Sequence, residues 1–420
     1  MEKPDLFSTQ KEFMLFTLLC LLLIGLHLGV EYRAYKHFIA KPFYYTQVSV
    51  LNAYIKTKNH RSYQVLKVHS TKGRTFYTTT HQRTSLQHQN LRLQLFPDAK
   101  IGFLDYLGTF YVKSKIKAQY PKEEGKKEKL LSFVSEQHST PALQSFYGAI
   151  FFATPLLQSV RQKISLLGVS HLVALSGFHL GILWGLVYGV LLLLYRPFQQ
   201  RYFPYRHALF DVGLVVILLL GVYVWFVGSP PSLLRSYAMM LLGWMVLLLG
   251  VRLLSFTFLS MVGLLLLVVF PSLLVSLSFW FSVAGVFYIF LLLRYFKEQH
   301  SGLMSLVILP LGIFALMLPV VHGIFGVTTP SQLLSPLLSV LFILFYPFVM
   351  VLHLLGWGGL LDGLLLGLFD LPNEGVVSLL SPWMVVAYVG LSLGAIWRKS
   401  LFFLLCGVAL AYAFYLFIFV

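Results

Sequence analysis

The sequence predicts a polytopic α-helical membrane protein of about 10–11 transmembrane helices, with a small OB-like β-barrel domain inserted after the first helix. Apolar residues fill 58% of the 420 positions and charged residues 11%. Apolar runs of about 20 residues, the length that crosses a bilayer core as a helix, recur from residue 13 to the end. Residues 42–119 instead show short β-branched and aromatic runs broken by Asn, Gly, Thr and Pro.

The amino-terminal segment, 1–41, contains FMLFTLLCLLLIGLHLGV at 13–30. No small-x-small cleavage site follows and the next residues are Glu31, Tyr32 and Arg33, so it reads as an uncleaved first helix. Within 42–119, VSVLNAYI, SYQVLKVHS, RTFYTTT, LRLQLF and FLDYLGTFYV read as strands and KTKNHR and STKG as turns, which suits an OB-type barrel. Residues 120–165 hold a charged linker, YPKEEGKKEK, and then amphipathic helices read as lying along the interface, because Glu136, His138, Gln144, Gln158, Arg161 and Lys163 interrupt the apolar runs. The polytopic domain, 166–420, has apolar segments at 166–195, 210–227, 232–251, 255–270, 273–293, 303–321, 333–355, 382–397 and 400–419; the first helix makes ten. Residues 356–371, GWGGLLDGLLLGLFDL, are short and glycine-rich and read as interfacial or re-entrant.

Of the net charge of +17, residues 31–165 carry 21 Lys or Arg against 7 Asp or Glu. With a cytoplasmic amino terminus, the loops holding Arg196, Arg201 and Arg206, then Arg252, then Arg294 and Lys297 all fall on the cytoplasmic side, as the positive-inside rule asks. The basic β-domain is then extracytoplasmic, since long domains translocate largely regardless of charge. Past residue 355 the same count puts Arg398 and Lys399 outside unless 356–371 crosses or re-enters. Cys20 and Cys406 both sit in apolar segments and point to neither a disulfide framework nor a thiolate zinc site. The sequence has no Gly-x-x-x-x-Gly-Lys-Ser/Thr loop, and no cofactor or metal is expected.

Three constellations carry polar chemistry. HLVALSGFHLG, 171–181, places His171, Ser176, Gly177 and His179 in a stretch apolar enough for a membrane. On a helix the two histidines would be about 80° apart, with Ser176 one turn before His179. Four uses stand open: polar bonds between helices, a metal site lacking further ligands, a Ser–His pair lacking an orienting acid, or the lining of a path through the bilayer. In GSPPSLLRSYAMM, 228–240, Gly228, Ser229, Pro230 and Pro231 break an apolar run just before Arg235. That arginine either faces a partner, water or an anion, or snorkels to the headgroups. In the β-domain, Lys56, Lys58, Arg61, Lys67, Lys72, Arg74, Arg83 and Arg92 interleave with Tyr54, Tyr63, Phe76 and Tyr77. This mixture binds single-stranded nucleic acid by phosphate neutralisation and base stacking; the other reading makes the aromatics core and turns the charges toward anionic lipid.

ATPLLQSVRQKISLLGVSHLVALSGFHLGIL, 153–183, resembles the most distinctive stretch of the ComEC family of competence proteins. Gly168, His171, Leu172, Ser176, Gly177 and His179 match its Gly-x-x-His-Leu-hydrophobic-hydrophobic-hydrophobic-Ser-Gly-x-His pattern. GSPPSLLRSYAMMLLG is similar to the family's Ser-Pro-Ser-x-x-Arg segment and places Ser229, Pro231, Ser232 and Arg235; weaker likenesses continue in order to about residue 355. The resemblance implies a channel that moves single-stranded transforming DNA across the bacterial cytoplasmic membrane, past His171, Ser176, Gly177, His179, Ser229 and Arg235. Asp211 and Glu298 are the only acids from 166 to 355, which suits a polyanion.

The implied partners are single-stranded DNA, membrane lipid, a periplasmic or surface DNA receptor, and a cytoplasmic motor or single-strand-binding proteins; an oligomer is compatible. The His-x-His-x-Asp-His ligand set of the carboxy-terminal metallo-β-lactamase-like domain of many members has no counterpart, so a short form served by a separate nuclease is expected, with no catalytic residue. Two other readings stand: a small-molecule or lipid transporter, which needs no basic β-domain, and an intramembrane hydrolase using Ser176 and His179.

Overall fold

The structure, a computed structural model, describes residues 7, 9–58, 61–71, 73–82, 86–87, 89–120, 125–248, 255–296, 301–371 and 374–419. Lys72, Arg83, Arg252, Lys297 and Glu298 lie outside the described residues, as do the side chains of Lys58 and Arg61. The chain divides into two compact units, Phe7–Lys126 with Ser260–Trp280, and Lys127–Leu259 with the residues from Phe281 onward.

The first unit opens with α1 (Gln10–Ile39), whose amino end is capped by the Thr9 hydroxyl accepting the Glu12 N–H at 3.2 Å. Next come β1 (Tyr44–Lys58), β2 (Arg61–Ser70), β3 (Thr75–Thr80), β4 (Asn90–Phe96), α2 (Phe103–Leu107), β5 (Phe110–Tyr111) and β6 (Lys113–Tyr120), in the sheet order β5-β3-β2-β1-β4-β6. The strand expected over FLDYLGTFYV is instead the helix α2 followed by the short β5. The sixth strand, β6, was not legible because lysine and glutamine dilute its β signal.

The sheet is not a closed barrel. β5 runs parallel to β3 and β6 antiparallel to β4, and Val112 separates the two short strands, so each sheet edge takes a different one. A bulge between Val50 and Asn52 bends β1, which pairs with β4 over Tyr44–Ser49 and with β2 over Val48–Lys58. Alternation sends Val48, Val50, Leu66, Val68, Leu91, Leu93 and Leu95 inward, joined by Phe38 of α1. Each such side chain contributes about 1.5–3 kcal/mol when removed from water.

The chain continues through α3 (Lys126–Ser135), α4 (Pro141–Phe152), α5 (Gln158–Leu166), α6 (Ser170–Val173), α7 (Gly177–Tyr202), α8 (Ala208–Phe226), α9 (Pro231–Leu248), α10 (Phe256–Val269), α11 (Leu277–Tyr295), α12 (Ser301–Leu303), α13 (Leu309–His322), α14 (Ser335–Leu354), α15 (Asp362–Phe369), α16 (Pro382–Gly394) and α17 (Lys399–Phe419). A π-turn, Met304–Ile308, joins α12 to α13.

Among the described residues seven helices, not ten, are long and apolar enough to cross a membrane: Gln10–Ile39, Gly177–Tyr202, Ala208–Phe226, Leu277–Tyr295, Met304–His322, Pro330–Leu354 and Lys399–Ile418. Over the described residues, the segments expected at 232–251, 255–270 and 382–397 are the shorter apolar helices Ser232–Leu248, Phe256–Val269 and Pro382–Gly394. Fourteen residues of helix rise about 21 Å, short of the ~30 Å hydrocarbon core.

The segment expected over 166–195 is likewise not one helix. It breaks at Gly168, with φ of 69°, and again where Ala174 and Ser176 adopt extended backbone ahead of α7. Helix α4 is buried throughout Phe146–Phe152 and packs in a core with residues of α7, α8, α14 and α15.

Candidate functional site

Leu166–Ser176 runs from the end of α5 to the start of α7, and polar side chains tie it down on both sides. Toward the start of α14, Thr329 Oγ1 donates to the Leu166 carbonyl at 2.6 Å and Ser335 Oγ to the Gly168 carbonyl at 3.1 Å. His171 Nε2 lies 3.2 Å from Ser339 Oγ. Two features favour glycine at 168: its φ is left-handed, and a Cβ would stand a tight 3.2 Å from Gln332 Cγ.

Ser176 is the N-cap of α7. Its hydroxyl accepts the Phe178 N–H at 3.3 Å, while its own N–H donates to His179 Nδ1 at 3.4 Å. The two residues form a capping box with histidine at the third helical position. His179 is 0% exposed, edge-on to Phe342 and Tyr346 at 5.2 and 4.9 Å between ring centroids. The ring thus reaches the Ser176 main chain, not its hydroxyl, which is not the geometry of a nucleophile and its base. The 80° helical relation of His171 to His179 does not hold either, because extended backbone at Ala174 and Ser176 separates α6 from α7.

Gly177 meets α9. A Cβ there would stand 3.1 and 3.2 Å from Ser236 Oγ and Cβ. Ser232 Oγ donates to the Leu175 carbonyl at 2.9 Å, and Ser236 Oγ to the Ser232 carbonyl at 2.9 Å. Arg235, between these serines, is 5% exposed and therefore packed inside the unit instead of extended to a headgroup layer. Ser229 has a different job: with Gly228 it takes positive φ and ends α8, its N–H donating to the Val224 carbonyl at 2.9 Å.

Residues 154–418 match the family described as Competence protein, a span that holds both motifs and the helices that carry them. The chain belongs to the Competence protein family. With seven helices able to span, it is a multi-pass membrane protein. An uncharacterized protein of Aquifex aeolicus (strain VF5) is 31% identical over 172 residues, covering 41% of this chain and 38% of that relative. The chain thus spans well under two thirds of the relative's length. No solved structure matches.

The β-domain residues separate into two groups. Arg74 is held within the unit by an ion pair with Glu31 of α1 and lies 4.5 Å from the Tyr106 ring centroid. Burial pushes the Tyr106 hydroxyl above its usual range, with Arg74 opposing the rise. Lys67 is half-buried, 5.9 Å from the Tyr77 ring centroid, and Phe76 is core. Lys56 and Arg92 are exposed, and Arg92 sits 5.5 Å from the ring of the exposed Tyr45.

Beside Arg92 lie three further lysines whose role no motif in the sequence marks. Lys113, Lys115 and Lys117 of β6 are all exposed, with Lys115 opposite Gln94 and Lys113 opposite Phe96. Their signal was the period-two alternation of KSKIK, in which Ile116 turns inward opposite Leu93.

Among the membrane helices, Asp211 is paired: Arg206 donates to it at 2.7 and 2.9 Å and Tyr195 at 2.7 Å, so its charge is balanced locally.

Proposed function

We propose that this chain conducts single-stranded DNA inward across the bacterial cytoplasmic membrane during natural transformation. In this reading the basic face of Arg92, Lys113, Lys115 and Lys117, with Tyr45, gathers the strand outside the cytoplasm. The junction of His171, Ser176, Gly177, His179 and Arg235 flanks the path through the membrane, and Ser229 shapes its rim by ending α8. What carries the reading is family membership over 154–418, a span within which the two motifs dock on each other through Ser232 and Leu175. A phosphate chain in a low-dielectric medium needs polar walls poor in acids, and the membrane helices offer few uncompensated carboxylates.

The partners follow from the same chemistry: single-stranded DNA, lipid, an outer DNA receptor, and a cytoplasmic motor or strand-binding protein, since the sequence has no nucleotide-binding loop of its own. A small-molecule or lipid transporter would have no use for the basic face. Transformation and uptake of labelled DNA in a strain lacking the gene, with and without complementation, test the proposal; wild-type uptake in the deletion strain sinks it.

A further inference from the structure

Four segments of the second unit meet around His138, in the turn between α3 and α4. Its Nδ1 lies 2.9 and 3.1 Å from the two carboxyl oxygens of Asp362, at the start of α15. Its Nε2 lies 2.9 Å from Nε2 of His353, in the last turn of α14, and His353 Nδ1 is 2.6 Å from the Val349 carbonyl. Tyr147 of α4 stacks on the His138 ring at 4.3 Å, with 7° between the planes. Gln137 braces the group: its amide donates to the His353 carbonyl at 3.1 Å and its Oε1 accepts the Gly358 N–H at 2.8 Å. A Cβ on Gly358 would come within 2.6 Å of both Gln137 Oε1 and the His353 ring, so only glycine admits this arrangement. The His138 side chain is fully buried.

The partners dictate the protons. The Val349 carbonyl only accepts, so His353 Nδ1 carries a proton and, in the neutral ring, Nε2 is an acceptor. His138 must then donate from Nε2. Its Nδ1 faces a carboxylate with two acceptor oxygens, so while Asp362 is ionised every bond in the chain is made only when Nδ1 carries a proton too.

We propose that His138, Asp362 and His353 form a binding site for one proton, held as an imidazolium–carboxylate pair, whose occupancy clamps the α3–α4 turn onto the end of α14 and the start of α15. Without that proton His138 can serve Asp362 or His353, not both. With a second proton, on His353 Nε2, two N–H groups face each other across 2.9 Å. The full set of bonds therefore exists with one added proton and is lost when that proton leaves or a second arrives.

The titratable groups that meet the His138 ring are Asp362, His353 and the Tyr147 phenol. Burial first, and the Asp362 charge second, push the Tyr147 hydroxyl well above its usual range, so it stays neutral and leaves the proton to the other three. The three do not converge on a common point as metal ligands would, because His138 turns opposite ring nitrogens to its two partners.

Amide hydrogen exchange of the full chain in lipid nanodiscs, run from acid to alkaline pH and corrected for intrinsic rates, tests the site. Protection of 136–147 and 353–362 is expected to pass through a maximum and fall about tenfold or more at both extremes, with α17 flat. In Asp362→Asn the amide donates to Nδ1 without an added proton, so the alkaline fall disappears and the acid fall remains. A flat or one-sided profile in the wild-type chain overturns the proposal, as does an alkaline fall unchanged in Asp362→Asn. If that variant does not accumulate, the wild-type profile alone decides.

Discussion

The hydroxyl of Ser232 donates to the carbonyl of Leu175 at 2.9 Å, across 57 residues of sequence. That bond sets the start of α9 against the cap of α7, and Gly177 lies flush on Ser236 beside it. Neither motif is complete alone: each supplies the surface that the other packs on.

Gly177→Ala is expected to lower stability by about 1 kcal/mol, because its methyl group would stand 3.1 and 3.2 Å from Ser236 Oγ and Cβ and force Ser236 to shift. Adding Ser236→Gly should recover part of the loss in thermal unfolding and in transformation frequency. A Gly177→Ala protein as stable and as active as the parent would refute the close packing.

Ser176 and His179 act here as a helix cap. Ser176→Asn should keep stability and uptake, whereas Ser176→Ala should lose about 0.5–2 kcal/mol. His179→Gln preserves a capping-box acceptor and should outperform His179→Leu. An enzyme using Ser176 as nucleophile would rank Ser176→Cys above Ser176→Asn, and measuring both variants separates the two roles.

Gly168 holds a left-handed backbone against Gln332. Gly168→Ala should cost about 1–2 kcal/mol from the backbone alone. Gly168→Asn, which tolerates that conformation, should lie between the two in membrane accumulation and unfolding temperature; an Asn variant worse than Ala would show crowding, not backbone, to be the controlling term.

The basic face should show itself in salt dependence. For single strands each phosphate contact adds about 0.7 to the slope of log K against log salt, so replacing Lys113, Lys115 and Lys117 by glutamine should flatten the slope by up to ~2. Tyr45→Ala should cost about 1–3 kcal/mol if a base stacks there. Arg74→Gln should instead destabilise the domain, since it leaves Glu31 without its ion-pair partner. Single-strand binding by the full chain across a salt series checks the first two and thermal unfolding the third, and unchanged binding by the triple variant removes this face from the proposal.

Much of this was legible in the residues. The first helix, the β-rich insertion and most spanning segments are written in local hydropathy, because a helix alone in lipid must satisfy its own backbone and be apolar along its length. The alternation of β1 through β4 is local for the same kind of reason: successive side chains face opposite sides. Strand β6 has only a weak local signature because Lys113, Lys115 and Lys117 face outward and leave little apolar pattern.

The site was legible as residue types and not as geometry. HLVALSGFHLG has a membrane helix's composition, yet Gly168 and Ser176 break it, and both breaks are held by Thr329, Ser335 and Ser232, far away in sequence. His138, His353 and Asp362 stand up to 224 residues apart and carry no shared motif. By itself the sequence determined the membrane class, the order of segments and the family, since these depend on hydropathy and short motifs. The tertiary structure alone decided which nitrogen of His179 meets which atom of Ser176, which lysines share a face, and where one buried proton has a place, because hydrogen bonds act over about 3 Å and only folding brings those groups that close.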